Sequence, residues 1–248
     1  MSVRWRLWAA MTADHMHQFR EALWRGAPAL SGDVLDKLCT YYDLLMEANQ
    51  SMNLTADEAP EQVASRHYLD SLAPPALEIL QPGCSVVDVG TGAGFPGLVL
   101  AILRPDISFT LLDSLQKRIA FLQRVTEKLE LSNVRCIAAR AEDAARTELR
   151  EHFDFALSRA VAALPVLLEY TLPFVRVGGS ALCWKGPTVS QEVCASSHAL
   201  KVLGAGEYKL LSYSPDGLRE YTILQVHHIR PCPTLYPRKA GIPTKKPL

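Results

Sequence analysis

The residues best suited to do chemistry lie in and around Val86-Val87-Asp88-Val89-Gly90-Thr91-Gly92-Ala93-Gly94-Phe95-Pro96-Gly97. An apolar run ends on a carboxylate, passes four glycines in eight residues and leaves through a proline into the apolar stretch Leu98 to Leu103. Glycine adopts positive φ and lets backbone approach a ligand, and proline suits the first turn of a helix. A strand, a tight glycine turn and a helix start make a cradle for a nucleotide-like ligand. Gly92-Ala-Gly-Phe-Pro-Gly97 satisfies the G-x-G-x-x-G pattern. Asp113 follows 21 residues after Gly92, where an acid holds a ribose diol.

Two cofactors compete for this cradle, NAD and S-adenosylmethionine. Asp88 stands two residues before Gly90, where a pyrophosphate meets an unfavourable carboxylate and a cationic ligand does not. Only 135 residues follow Asp113, and they complete the same sheet without a separate hydride-acceptor domain. A closing β-hairpin finishes the edge as in S-adenosylmethionine-dependent methyltransferases. These observations favour S-adenosylmethionine. An NAD-dependent oxidoreductase and a non-catalytic RNA-binding module are the alternatives.

The loop after the fourth predicted strand narrows the chemistry. Methylation of an exocyclic amine needs a polar-Pro-Pro-aromatic loop there, whereas this chain has Ser158-Arg159-Ala160. Methylation at pyrimidine C5 needs a cysteine nucleophile, and none stands at strand tips 88, 113, 139 or 158. A ring nitrogen with a free lone pair, such as guanine N7, needs neither. Catalysis is then positioning, with electrostatics second, and no catalytic base is assigned. Asp88 either supplies a field near the cofactor or caps N–H groups of the loop. His67, Asp70 and Ser71 share a helix face at i, i+3, i+4 spacing, which suits a brace better than a hydrolase triad.

The elements that position these residues alternate. Predicted strands cover 85–89, 107–112, 134–138, 153–157 and 180–184. Helices follow over 96–103, 115–130, 144–149, 164–175 and 190–203. Five βα units give an α/β fold with a seven-stranded, mostly parallel Rossmann-like sheet. Strands over 208–212 and 221–229 are joined by the turn Ser214-Pro-Asp-Gly217. Upstream, Leu35, Leu38, Tyr41, Tyr42 and Leu45 form one helical stripe, punctuated by Pro28 and Ser31-Gly32-Asp33. The organisation read from this is a helical region at 1–80, a methyltransferase domain at 81–230 and a basic, Pro-rich tail at 231–248.

Composition bounds the class. The 248 residues are 48% hydrophobic and 21% charged, as in a soluble globular protein of one or two domains. No apolar run approaches the ~20 residues of a membrane span, and Met1 to Ala10 lacks the ~7–15-residue core of a signal peptide. That segment reads as a loose extension, and the address as cytoplasmic. Six cysteines without a CxxC pair read as reduced thiols, and no metal site is expected. Net charge is zero, yet the tail holds Arg238, Lys239, Lys245 and Lys246 and no acid. Its prolines argue against helix or central strand, and its charge makes it a candidate RNA contact.

Several separate segments carry a closer resemblance. They are Asn53-Leu-Thr55, Arg66-His-Tyr-Leu-Asp-Ser-Leu72, the glycine loop, Leu111-Leu-Asp-Ser-Leu-Gln-Lys-Arg118, Arg140-Ala-Glu142, Ser158-Arg-Ala160 and Lys185-Gly186. In this order they closely resemble the bacterial glucose-inhibited division protein B family, over residues 31–248. The ending Tyr236-Pro-Arg-Lys-Ala-Gly-Ile-Pro resembles that of many Gram-positive members. The resemblance implies an S-adenosylmethionine-dependent enzyme that methylates guanine N7 in 16S ribosomal RNA of the small ribosomal subunit; the chain is expected to be a monomer without a membrane partner. It places the cofactor against Gly90, Phe95, Ala141, Glu142 and Arg159, to which the ribose argument adds Asp113. Lys185, with the tail residues Arg238, Lys239, Lys245 and Lys246, is the expected RNA contact. Phe95 departs from the Leu of many members, and Arg219-Glu-Tyr from their Arg-His-Leu.

Overall fold

Strands that are apolar on both faces need helices on both sides, and the chain provides them. The computed structural model describes residues 3–248 except 58, 216 and 218, with side chains from residue 14 onward. Seven strands form one sheet: β1 Ser85–Val89, β2 Ser108–Asp113, β3 Val134–Ala138, β4 Phe153–Arg159, β5 Val175–Lys185, β6 Ala205–Tyr213 and β7 Tyr221–His228. Their order is β3-β2-β1-β4-β5-β7-β6. β1 to β5 run parallel, and β7 lies antiparallel between β5 and β6. Parallel register brings the carboxyl ends of β1 to β5 to one edge. The order reverses between β1 and β4, where such sheets open a crevice for ligands.

The helices are α1 Val3–Gly26, α2 Gly32–Met52, α3 Pro60–Val63, α4 Pro74–Ile79, α5 Gly97–Leu103, α6 Gln116–Lys128, α7 Ala141–Ala144, α8 Leu164–Thr171, α9 Val189–Ala195, α10 Ser197–Val202 and α11 Ile242–Lys245. The Ser31 hydroxyl caps α2 by accepting from Val34 N, and left-handed Asn53 ends it. α3 continues into a π-helical stretch, Ala64–Leu69, that carries Arg66 and His67. π-Turns widen a helix and often sit at functional sites. The helix expected over 190–203 divides at Ser196, whose hydroxyl donates to the Glu192 carbonyl.

Two expectations are corrected. Val3 to Ala10 belongs to α1 instead of forming a loose extension, while Met1 and Ser2 lie outside the described residues. α1 is anchored by Phe19 and Leu23, both fully buried, with Phe19 stacked at 4.1 Å on Tyr42. The tail also contains a helical turn, α11. Pro243 is tolerated there because it falls in the first turn, where no N–H is required. The helical region does not stand apart from the sheet, since one apolar cluster runs from Phe19 through Tyr41 and Phe95 to Leu122 and Leu129.

The glycine loop is packed from beneath. A Cβ at Gly97 would come within 2.7 Å of Asp88 Cβ, Asp88 Oδ2 and Leu111 Cδ2. Overpacking of this kind typically costs about 1–3 kcal/mol. Gly97→Ala should therefore lower the melting temperature of the purified protein, by about 2–4 °C per kcal/mol for a chain of this size. Differential scanning calorimetry measures this, and an unchanged melting temperature would refute the packing argument.

Candidate active site

A cavity of about 660 Å³ opens at the carboxyl edge of the sheet. Val89 of β1 and Gly90 just after it, Leu112 and Asp113 from β2, Ala139 to Glu142 after β3, and Ala160 after β4 line it. Gly90 has φ +73°, and a Cβ there would meet Val161 Cγ2 at 2.6 Å, so only glycine fits this wall. Asp113 is buried, yet faces the cavity. Its Oδ2 accepts from Gly92 N at 3.0 Å and Arg118 Nη1 at 3.3 Å, and its Oδ1 accepts from Leu115 N at 2.8 Å. Glu142, 2% exposed, accepts from Gly241 N at 3.0 Å. Two fixed carboxylates, apolar Leu115 and Val166, and this volume fit a ribose, a base and a cationic sulfur.

The backbone of the loop offers no anion nest. Gly90 N and Thr91 N both donate to the Leu112 carbonyl, and Phe95 N and Gly94 N donate to the Thr91 carbonyl. Gly97 N, at the start of α5, donates to Asp88 Oδ2 at 2.9 Å, and the Thr91 hydroxyl donates to the same oxygen. Asp88 is therefore the cap of the loop, fully buried behind it and absent from the cavity lining. Burial pushes its pKa up to about 6, against the opposing pull of the Thr91 and Gly97 donors. A pyrophosphate would find the N–H groups of Gly90, Thr91, Gly92, Gly94, Phe95 and Gly97 already committed.

A second cavity, about 440 Å³, adjoins the first through Ala160 and Ala162. Trp184, Tyr213, Tyr221, Lys185, Arg66 and Arg159 are among its walls. Arg159 faces this side. Its Nη1 donates to Asp70 Oδ2 at 2.7 Å and to the Arg66 carbonyl, and its Nη2 donates to His67 Nδ1 at 3.0 Å. Its guanidinium carbon lies 5.2 Å from the Phe95 ring centroid, and His67 stacks on that ring from 5.0 Å. Tyr213 donates to the other Asp70 oxygen, and Trp184 Nε1 donates to the Asp70 carbonyl. The brace expected of His67 and Asp70 thus exists and ties the π-helical turn to β4, β5 and β6.

Of the cofactor residues expected from the sequence, Gly90, Asp113, Ala141 and Glu142 share the larger cavity. Phe95 instead packs in the aromatic cluster with Tyr41, Tyr68 and His67, and Arg159 serves Asp70. Lys185 is nearly buried in the smaller cavity, with Glu192 Oε2 at 2.6 Å. Arg238 turns inward: its N, Nε and Nη2 all donate to the fully buried Glu169 carboxylate. Lys239, Lys245 and Lys246 are exposed. Sequence reasoning missed Tyr170, Thr244 and Pro247, which also line the larger cavity. For Thr244 and Pro247 the only signal was a tail sequence without periodicity, and Tyr170 sits unmarked in α8. The cysteines are unpaired, and burial pushes Cys84 and Cys136 to about 11 and Cys183 to about 12. Among the described residues no cluster could hold a metal ion, and no helix is long and apolar enough to cross a membrane.

Comparison with known proteins agrees with this geometry. Residues 34–217 match the family described as rRNA small subunit methyltransferase G. A ribosomal RNA small subunit methyltransferase G from Alkaliphilus oremlandii is 44% identical over 237 residues, covering 93% of this chain and 99% of the relative. Another, from Desulforamulus reducens, is 46% identical over 84% of this chain and 88% of its own length. Among solved structures, a predicted O-methyltransferase from Agrobacterium tumefaciens superposes with TM-score 0.50 at 18% identity, over 66% of this chain and 81% of that one. M. jannaschii TYW2, solved in complex with AdoMet, also gives 0.50, at 17% identity over 62% and 74%. These two share the fold. The dinucleotide reading of the glycine loop gives way to S-adenosylmethionine.

The Arg159 brace sets the protonation of His67. With Nδ1 accepting from Arg159, the ring proton sits on Nε2, 2.9 Å from Thr55 Oγ1 and 3.1 Å from Asp57 Oδ2. Burial, and next the Arg159 charge, lower its pKa from 6.5 to about 4. Between these values the unfolded chain binds more protons than the folded one, so stability falls as pH drops through this window. Wild type should therefore lose melting temperature more steeply from pH 6.5 to pH 4.5 than His67→Gln. Parallel slopes in a thermal-shift series would refute the assignment.

Proposed function

The chain belongs to the rRNA small subunit methyltransferase G family, and we propose that it transfers the methyl group of S-adenosylmethionine to N7 of a guanine in 16S ribosomal RNA. The observation that carries this reading is the meeting of two unlike cavities at Ala160 and Ala162. One holds the carboxylates Asp113 and Glu142. The other holds a platform of Trp184, Tyr213 and Tyr221 beside Lys185. Bases removed from a stack are commonly held on aromatic faces and by donors to their edges. Guanine presents O6 and N7 as adjacent acceptors. A lysine donor at O6 orients the base and leaves the N7 lone pair unblocked.

Bound S-adenosylmethionine supplies an electrophilic methyl group on a positive sulfur. The chain's own work is to hold and orient. Asp113 and Glu142, already fixed by backbone N–H groups, receive the cofactor's hydroxyl and base edges. The Ala160 turn, at φ +56°, separates cofactor from base with a minimal side chain. Neither cavity needs a general base, because N7 carries no proton. Alignment excludes water and supplies the effective molarity of an intramolecular reaction. Acting on ribosomal RNA gives the protein a cytoplasmic address.

Transfer of labelled methyl to unmodified small subunits, with the label recovered as 7-methylguanosine, tests the proposal. Label on another nucleoside, or no transfer, would overturn it. Lys185→Ala should lower kcat/KM for RNA by about 10–100-fold, the value of a charge-assisted hydrogen bond, with cofactor Kd unchanged. The exposed tail lysines are read as phosphate contacts. Replacing Lys239, Lys245 and Lys246 with alanine should flatten the log K against log salt slope for RNA by about 2, at ~0.7 per single-strand phosphate lost. An unchanged slope would remove the tail from the RNA footprint.

A further inference from the structure

The segment after Arg230, which the sequence presents as a basic and proline-rich end, is held by three arginines, of which Arg150 and Arg238 are half-buried. Arg150 donates to the carbonyls of Cys232, Pro233 and Tyr236, and Arg146 donates to that of Pro237. Arg238 then enters a bidentate pair with Glu169 on α8, Nη2 to Oε2 at 2.6 Å and Nε to Oε1 at 2.9 Å. Glu169 is fully buried, so no solvent competes for it. Three residues on, Gly241 takes a left-handed turn at φ +80° and aims its N–H at Glu142 Oε1, 3.0 Å away. Thr244 Oγ1 then meets the Tyr170 hydroxyl at 3.0 Å, and Thr244, Pro247 and Tyr170 all line the larger cavity.

We infer that Arg238 is a positioning residue for cofactor binding, which seats the closing segment so that Gly241 holds Glu142 and Thr244 and Pro247 form one wall of the cavity. This rests on the assignment of that cavity to S-adenosylmethionine. Glu142 and Gly241 are 99 residues apart, so the N–H that fixes this carboxylate is present only while the segment is docked. A bound cofactor touching that wall favours the docked segment, and the docked segment raises affinity by the same factor. Arg238 achieves this without touching the cofactor. Its fork geometry matters as well as its charge, so lysine is an incomplete substitute.

The test uses the full chain and isothermal titration with S-adenosylmethionine. Arg238→Gln should weaken Kd about tenfold or more, and Arg238→Lys by an intermediate factor. A chain ending at Ala240, which keeps Arg238 but lacks Gly241, Thr244 and Pro247, should weaken Kd at least as much as Arg238→Gln. That truncation also decides the matter if Arg238→Gln fails to fold. Saturating cofactor should slow tryptic cleavage after Lys239 several-fold in wild type and not in Arg238→Gln. A merely structural role would lower the melting temperature of cofactor-free Arg238→Gln while Kd and cofactor protection stayed at wild-type values, and that result would overturn the inference. Failure of wild type itself to bind S-adenosylmethionine would instead refute the assignment of the cavity.

Discussion

The ion pair between Arg159 and Asp70 joins segments 89 residues apart and fixes the wall on which both cavities depend. Taking two charges out of water is costly, and such a pair survives only when the remaining donors and acceptors are also satisfied. Here they are. Arg159 reaches a carboxylate, a carbonyl, an imidazole nitrogen and an aromatic face, while Asp70 receives Arg159 and Tyr213. Loss of one partner from a buried pair of this kind costs about 3–5 kcal/mol, because the other charge is stranded. Ala160 follows directly in a left-handed conformation, a strain of about 1–3 kcal/mol for a non-glycine residue. The anchored guanidinium holds that turn in place, and the turn is where the cavities touch.

The glycine loop takes on a different meaning beside this brace. A run of four glycines suggests backbone bared to a ligand, but two of the four answer to the protein beneath them. A Cβ at Gly94 would lie 2.6 Å from the Tyr41 hydroxyl, and one at Gly97 would strike Asp88. Tyr41 in turn donates to the Ala93 carbonyl, so α2 holds the loop from below. Asp88 takes the N-terminus of α5, the place that a phosphate occupies in dinucleotide-binding folds. The loop therefore presents one close approach, at Gly90, together with carboxylates in place of an anion nest. This selects for a cationic cofactor carrying a ribose and against a dinucleotide.

The central sheet was legible because strands buried on both faces are written as continuous apolar runs. Ser85–Val89, buried from Val86 onward, coincides with its predicted bounds, and so does the more exposed edge strand Val134–Ala138. Asp113 was legible for the same reason, since parallel register carries the end of β2 to the cavity edge, whereas Gly90 and Glu142 were named through the family resemblance. What could not be read was pairing at long separation. Nothing local distinguishes Arg159 bound to a cofactor from Arg159 bound to Asp70, because both need the same donors at the same strand tip. Arg238 poses the same problem more sharply. In a run of Lys, Arg and Pro it resembles its neighbours, and its partner Glu169 lies 69 residues away in an apolar helix. The signal available was the oddity of that glutamate, a charge inside Leu167-Leu-Glu-Tyr-Thr-Leu172, which a buried helix keeps only for a partner.

Sorting of the basic residues by partner reconciles a chain of zero net charge with a polyanionic substrate. Arg146, Arg150, Arg159 and Arg238 all spend their donors on protein carbonyls and carboxylates, so much of the positive charge serves the fold. These are arginines, whose rigid planar forks satisfy several acceptors at once with little loss of entropy. Lys239, Lys245 and Lys246 are exposed along the same segment. Lysine holds its charge on a mobile stem, which suits phosphates whose positions vary and whose counterions are released on contact. Arginine thus builds the wall and lysine decorates its outer side. One short segment thereby lines the larger cavity with Thr244 and Pro247 and leaves Lys239, Lys245 and Lys246 exposed to solvent.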